Sequence, residues 1–169
     1  MSYLPMSSYK YFLKRMQNFK DPGHKWINLQ LQKCGDLMGP VLERIREEGP
    51  LSSKDFSHKS DKKGGTWWDW KPAKIALELL FWRGDLMVAA RRNFQKVYDL
   101  TERVLPQNID LSIPSDEETG RFLVRSGISA MGIASEKELQ KFMQPDTARD
   151  SDFQAVSRDA VSDAVKQLT

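Results

Sequence analysis

Cysteine is almost missing from this chain. Cys34 stands alone among 169 residues, so no internal disulfide can form and the fold rests on non-covalent packing. Long apolar runs are missing too: no stretch approaches the ~20 consecutive apolar residues that cross a bilayer, and no charged-then-apolar leader opens the chain. Histidine is scarce, and neither His24 nor His58 stands at metal-ligand spacing from Cys34 or a carboxylate. There is no phosphate-cradling glycine loop, no serine nucleophile elbow and no Cys/His pairing. These absences describe a cytoplasmic protein, outside the membrane, with no cofactor and no metal, and they leave no catalytic residue to name.

What is present is an ordinary globular balance, 40% apolar and 29% charged, in a chain long enough to bury a core as one ordinary domain or two small ones. The net charge of +3 hides a division. Residues 1–100 carry 18 Lys and Arg against 11 Asp and Glu, whereas residues 101–169 carry 8 against 12. A basic block suits a polyanion, because each phosphate contact releases counterions, but plain solvated surfaces show a bias this size as well.

Apolar periodicity predicts a mainly α (α+β) chain. Ser7 or Ser8 caps a helix over 9–19 (Tyr9, Phe12, Leu13, Met16) that ends at Asp-Pro-Gly, 21–23. A second helix covers 25–33, punctuated by Gly35 and Gly39-Pro40, and a third covers 41–48 and stops at Gly49. "GPLSSKDF" predicts a turn into a short helix capped by Ser52 or Ser53, and "SHKSDKKGG" predicts an exposed basic loop over 57–65. Pro72 opens a helix to about Arg83, closed by Gly84. Strands over 86–91 and 94–98 follow, with Arg92-Asn93 as the tight turn.

Helix, short helix, longer helix and hairpin is the order of a winged helix-turn-helix. The order then begins again, with a helix over 116–131 stopped by Gly132, a Ser135/Glu138 capping box into a short helix through Phe142, and a helix over 159–168 capped by Ser157. The second copy lacks its wing. The expected divisions are a helical lead-in over 1–39, a complete winged helix over 40–106 and a partial second one over 107–169.

On the helix after Pro72 the outward positions are Lys71, Lys74 and Glu78, a narrow basic stripe. Such a stripe is either the solvated edge of a core helix or a surface turned toward a groove. Arg91, Arg92 and Lys96 on the following hairpin favour the groove, since both elements then present cations outward. Lys62 and Lys63 extend the basic run in the loop before it. Trp67 and Trp68 are adjacent and face opposite ways in an extended segment. Trp68 and Trp70 read as packing, which leaves Trp67 as the aromatic able to touch a base. Asp116, Glu117 and Glu118 answer a helix dipole more simply than they form a site.

"WWDWKPAKIALELLFWRGDLMVAARRNFQKVYDLTERVLP", with "VLERIREEGPLSSKDF" before it and "YLPMSSYKYFLKRM" at the start, closely resembles the middle of the YcaQ-like winged-helix proteins. These are bacterial DNA glycosylases that unhook interstrand crosslinks and excise alkylated bases. The resemblance runs from Tyr3 to about Met143 and follows only in outline beyond. It implies tandem winged helices, of which this chain corresponds to the second and most of the third, without the first or the β-rich C-terminal domain. It also implies that the Gln-apolar-Gln or Gln-apolar-Asp motif that activates water lies upstream. Gln30-Leu31-Gln32 sits in a helix where its amides diverge, so no catalytic role transfers to it.

The expected function is therefore a monomeric, nucleoid-associated fragment of a repair glycosylase that binds double-stranded DNA by its backbone through Lys62, Lys63, Trp67, Lys71, Lys74, Arg91, Arg92 and Lys96. Three alternatives stay open. A winged-helix transcription regulator needs groove-reading Arg, Asn or Gln along the helix, where this one offers lysines and a glutamate. A protein-binding scaffold needs an exposed patch around Trp67, Trp70 and Trp82. A chain active as a glycosylase by itself would leave abasic sites in alkylated DNA.

Overall fold

A computed structural model describes residues 5–20, 25–56, 72–143 and 158–168. Outside the described residues lie the Asp-Pro-Gly stop at 21–23, both histidines, the expected loop 57–65 with Lys62 and Lys63, Trp67, Trp68, Trp70, Lys71 and the Ser157 cap. The chain is mainly helical with a small antiparallel sheet, the α+β class expected. It divides into two compact units by contact, residues 19–108 and residues 1–18 with 109–169.

The larger unit is built on α2, Lys25–Glu48, which runs straight through Pro40. Two helices separated by Gly35 and Gly39-Pro40 were expected, and one is found. The reason is a single buried stripe, Ile27, Cys34, Met38, Val41 and Ile45, whose spacing keeps one helical register across the proline. An interior proline costs roughly 3 kcal/mol, whereas burying each such side chain contributes roughly 1.5–3 kcal/mol. Gly39 eases the break further, because a residue without Cβ avoids the clash that a proline imposes on its predecessor in the α conformation. Gly49, at φ +89°, ends the helix with its N–H on the Ile45 carbonyl at 3.0 Å.

The short helix expected from "SSKDF" is instead the two-residue strand β1, Leu51–Ser52, and a turn over 53–56. The Asp55 carboxylate accepts from both the backbone N–H and the hydroxyl of Ser52, each at 2.7 Å. That is half of a capping box, and it closes a turn because Leu51 and Ser52 are held in register with Tyr98 and Val97.

Helix α3, Pro72–Trp82, buries Ala76, Leu77, Leu79 and Leu80. It ends as expected at Gly84 (φ +79°), with Gly84 N–H on the Phe81 carbonyl (3.1 Å) and Asp85 N–H on that of Leu80 (2.9 Å). The hairpin β2, Leu86–Arg92, and β3, Gln95–Leu100, completes a sheet of order β1-β3-β2. Central strand β3 is buried from Val97 to Leu100. Asp99 is buried too, accepting from its neighbour's N–H and from Arg103 on the short helix α4, Thr101–Val104. Arg103 also donates to the carbonyls of Ile45 (3.2 Å) and Arg46 (2.8 Å), tying the open end of α2 to the sheet.

The smaller unit joins α1, Lys10–Asn18, to α5, Asp116–Met131, α6, Glu136–Met143, and α7, Arg158–Leu168. Ser7 and Ser8 lie in a 3-10 turn ahead of α1, so the helix begins a residue later than expected. Val124, Leu139, Val161 and Ala164 form its core. The stop at Gly132 (φ +76°) and the Ser135/Glu138 capping box are found as expected. Gly120 lets α5 and α7 meet closely: a Cβ there would stand 2.8 Å from the Ala160 carbonyl oxygen. Among the described residues after Leu100 the regular elements are all helices.

Candidate nucleic-acid interface

The hairpin rises out of the larger unit. Leu86 is buried, Met87 and Val88 are half-buried, and Ala89 through Phe94 are six successive exposed residues. Beyond Val88 the register shifts by one, from Val88↔Tyr98 to Ala90↔Val97, so Ala89 is an extra residue in β2. A bulge of this kind re-aims the side chains beyond it. It also moves the turn. Arg92 pairs with Gln95, which leaves Asn93 (φ +47°) and Phe94 (φ +64°) as the two loop residues in place of the expected Arg92-Asn93. Two central residues at positive φ are the hairpin turn whose twist matches its strands.

Arg91 and Arg92 are both exposed on this tip. Lys96 is half-buried: its ammonium lies 5.3 Å from the centre of the Phe81 ring and 5.9 Å from that of Tyr98, so it is partly engaged with the body. On α3, Lys74 is exposed and Glu78 is half-buried. Burial, then the Glu78 carboxylate, pushes the Tyr98 phenol up, while Arg91 pulls it the other way, so charges of the helix and of the hairpin both act on one phenol. The structure thus puts Lys74, Arg91, Arg92 and Lys96 on one unit, while Lys62, Lys63, Trp67 and Lys71 lie outside the described residues.

Between the β1 turn and the hairpin tip is an open cleft of about 220 Å³ lined by Ser52, Lys54, Asp55, Arg92 and Asn93 among others. The hydrogen bonds from Ser52 hold the Asp55 carboxyl below its usual range, with Arg44 and Arg92 adding to the effect. An ionised carboxylate in the cleft makes it a mixed-charge surface, less suited to an anion than the tip itself.

Several residues escaped the sequence reading. Phe94 is 97% exposed, and its signal, an aromatic directly after a turn-forming Asn, was hidden by placing the turn one residue early. The Asp99–Arg103 pair had only an i,i+4 spacing to announce it. Trp82, considered for an exposed patch, is half-buried with its ring 5.7 Å from that of Phe19. Gln30 and Gln32 both lie on α2, half-buried and exposed respectively. Among the described residues no cluster of ligating side chains could hold a metal ion, and no helix is long and apolar enough to cross a membrane.

Fold and side chains together define an α+β protein with a hairpin whose exposed tip carries Arg91 and Arg92. The sequence pattern of the DNA glycosylase AlkZ-like family matches residues 1–167, nearly the whole chain, and the protein belongs to that family. No solved structure matches it.

Proposed function

We propose that this chain grips duplex DNA for a glycosylase-type repair reaction on alkylated or crosslinked DNA, holding the backbone without strong sequence preference. In this reading residues 40–106 form a winged helix, with α3 as the groove-facing helix and the β2–β3 hairpin as its wing, and residues 107–169 supply the helices of a second. The helix–strand–helix–hairpin order and the β1-β3-β2 sheet support it, as does membership of a DNA glycosylase family. The observation that carries it is the run of exposed residues from Ala89 to Phe94 bearing Arg91 and Arg92. Such a tip reaches phosphates while the body stays clear. Lys62, Lys63, Trp67 and Lys71, which come before α3 in the sequence, are further DNA contacts in this reading, with the protein acting as a monomer.

Binding to fluorescent duplexes of different sequence across a salt series tests this. Affinity falls steeply with salt and is similar for all sequences, and Lys71→Ala, Lys74→Ala, Arg91→Ala and Arg92→Ala each reduce the salt slope by about one phosphate contact. Lys96→Ala does less, because that ammonium already faces two rings. Binding indifferent to salt and to these changes overturns the reading, and one strongly preferred sequence replaces it with a regulator.

A further inference from the structure

The hairpin carries a side chain that the body of the protein does not use. Phe94 occupies the second loop position of the turn at φ +64°, where glycine is preferred and an aromatic with its Cβ is strained. The residue is 97% exposed, the most exposed of the large apolar residues described. A left-handed backbone and a fully hydrated ring are both unfavourable, and neither is offset by packing among the described residues. The surroundings narrow what would offset them. Arg91, Arg92 and Asn93 are exposed on the same tip, so a flat apolar partner would have to strip water from two guanidiniums to reach the ring. A nucleic acid presents the complementary order, with apolar base faces between two rails of phosphate.

We propose that Phe94 is a stacking wedge that enters a base step of duplex DNA while Arg91 and Arg92 hold the phosphates beside it. The proposal rests on the duplex-gripping role given above and adds a lesion-sensing property to it. Inserting a ring between bases requires their partial unstacking, which is easier where a pair is mismatched or damaged. The wedge therefore makes binding tighter at weakened pairs without reading any base edge.

The test is Phe94→Gly in the full chain, with Phe94→Trp as the conservative partner. Glycine suits the turn, so Phe94→Gly is expected to melt at or above the temperature of the unaltered protein, which separates a lost wedge from a lost fold. Affinity for a duplex with one central mismatch, measured beside a fully paired duplex, is expected to fall about tenfold in Phe94→Gly and to hold in Phe94→Trp. A 2-aminopurine beside the mismatch brightens on binding the unaltered protein and stays dim with Phe94→Gly. Unchanged affinity and unchanged brightening in Phe94→Gly overturn the wedge and leave the phosphate grip standing, as does an equal loss on both duplexes. If the unaltered protein binds no duplex in a salt-dependent way, the grip and the wedge both fall.

Discussion

The two units use the same residue types for opposite ends. The larger unit carries 16 Lys and Arg against 12 Asp and Glu, the smaller 10 against 11. In the smaller unit, the lysines of α1 are paired with carboxylates of the same unit. Lys10 reaches Glu118 at 2.8 Å and Asp110 at 3.2 Å, Lys14 pairs with Asp116, and Tyr11 stacks flat on Phe122 with ring centres 3.8 Å apart. Acidic side chains at the start of α5 thus seat the basic face of α1, besides answering the helix dipole. In the larger unit, Arg91 and Arg92 are exposed at the end of a hairpin, with Arg92 also lining the cleft beside the β1 turn. A lysine or arginine becomes part of the scaffold when a carboxylate or carbonyl stands within reach on a packed neighbour. It stays open to a further partner when the backbone holds it exposed to solvent.

The largest way to break this contrast is at the close crossing in the smaller unit. Gly120→Ala places a methyl group against the Ala160 carbonyl and forces α5 and α7 apart, and destabilisation of about 1–3 kcal/mol is expected from urea titration. In the larger unit the comparable lesion is Arg103→Met, which leaves buried Asp99 without its guanidinium and removes the donor that Arg103 gives to the Ile45 and Arg46 carbonyls. A loss of about 1–3 kcal/mol is expected in the same measurement, with no change in the salt slope of DNA binding, because this arginine belongs to the scaffold.

Smaller effects sharpen the account of α2. Gly35 has open space where a Cβ would sit, so Gly35→Ala is expected to add about 0.5–1 kcal/mol of stability. Gly39 has the same open space, but it precedes Pro40, so Gly39→Ala gains nothing or destabilises. Equal gains at both positions would remove the explanation given for an unbroken helix.

The smallest effect is electrostatic. Hydrogen bonds from Ser112, then from Lys10, hold the Asp110 carboxyl down at about 2, and Lys10 likewise lowers Glu118. Carboxyls depressed in the folded state stabilise it above their ordinary range near pH 4 and lose that contribution as pH falls. The attachment of α1 should therefore weaken between about pH 4 and pH 2. A Lys10→Met protein should show a smaller acid dependence over that interval, followed by near-ultraviolet circular dichroism. The effect is slight because these side chains face water.

Much of this was legible in the residues themselves. The stops at Gly49, Gly84 and Gly132, the Ser135/Glu138 box and the buried face of α3 are local consequences of chain stereochemistry and apolar spacing, and they needed no partner to be read. Family membership was legible as well, from the resemblance carried by the residues from Trp67 to Pro106 and the two stretches before them. What the sequence could not decide was every feature settled by a competing distant contact. Pro40 stays helical because a stripe on both sides of it is buried together. Leu51-Ser52 is a strand because Tyr98 and Val97 wait beside it. Phe94, not Arg92, occupies the turn because one extra residue at Ala89 is accommodated in the ladder. Local propensities differ by about a kilocalorie per residue, whereas burial and pairing act over whole elements at once. Where the two disagreed, tertiary structure prevailed, and at the hairpin tip it turned an aromatic outward.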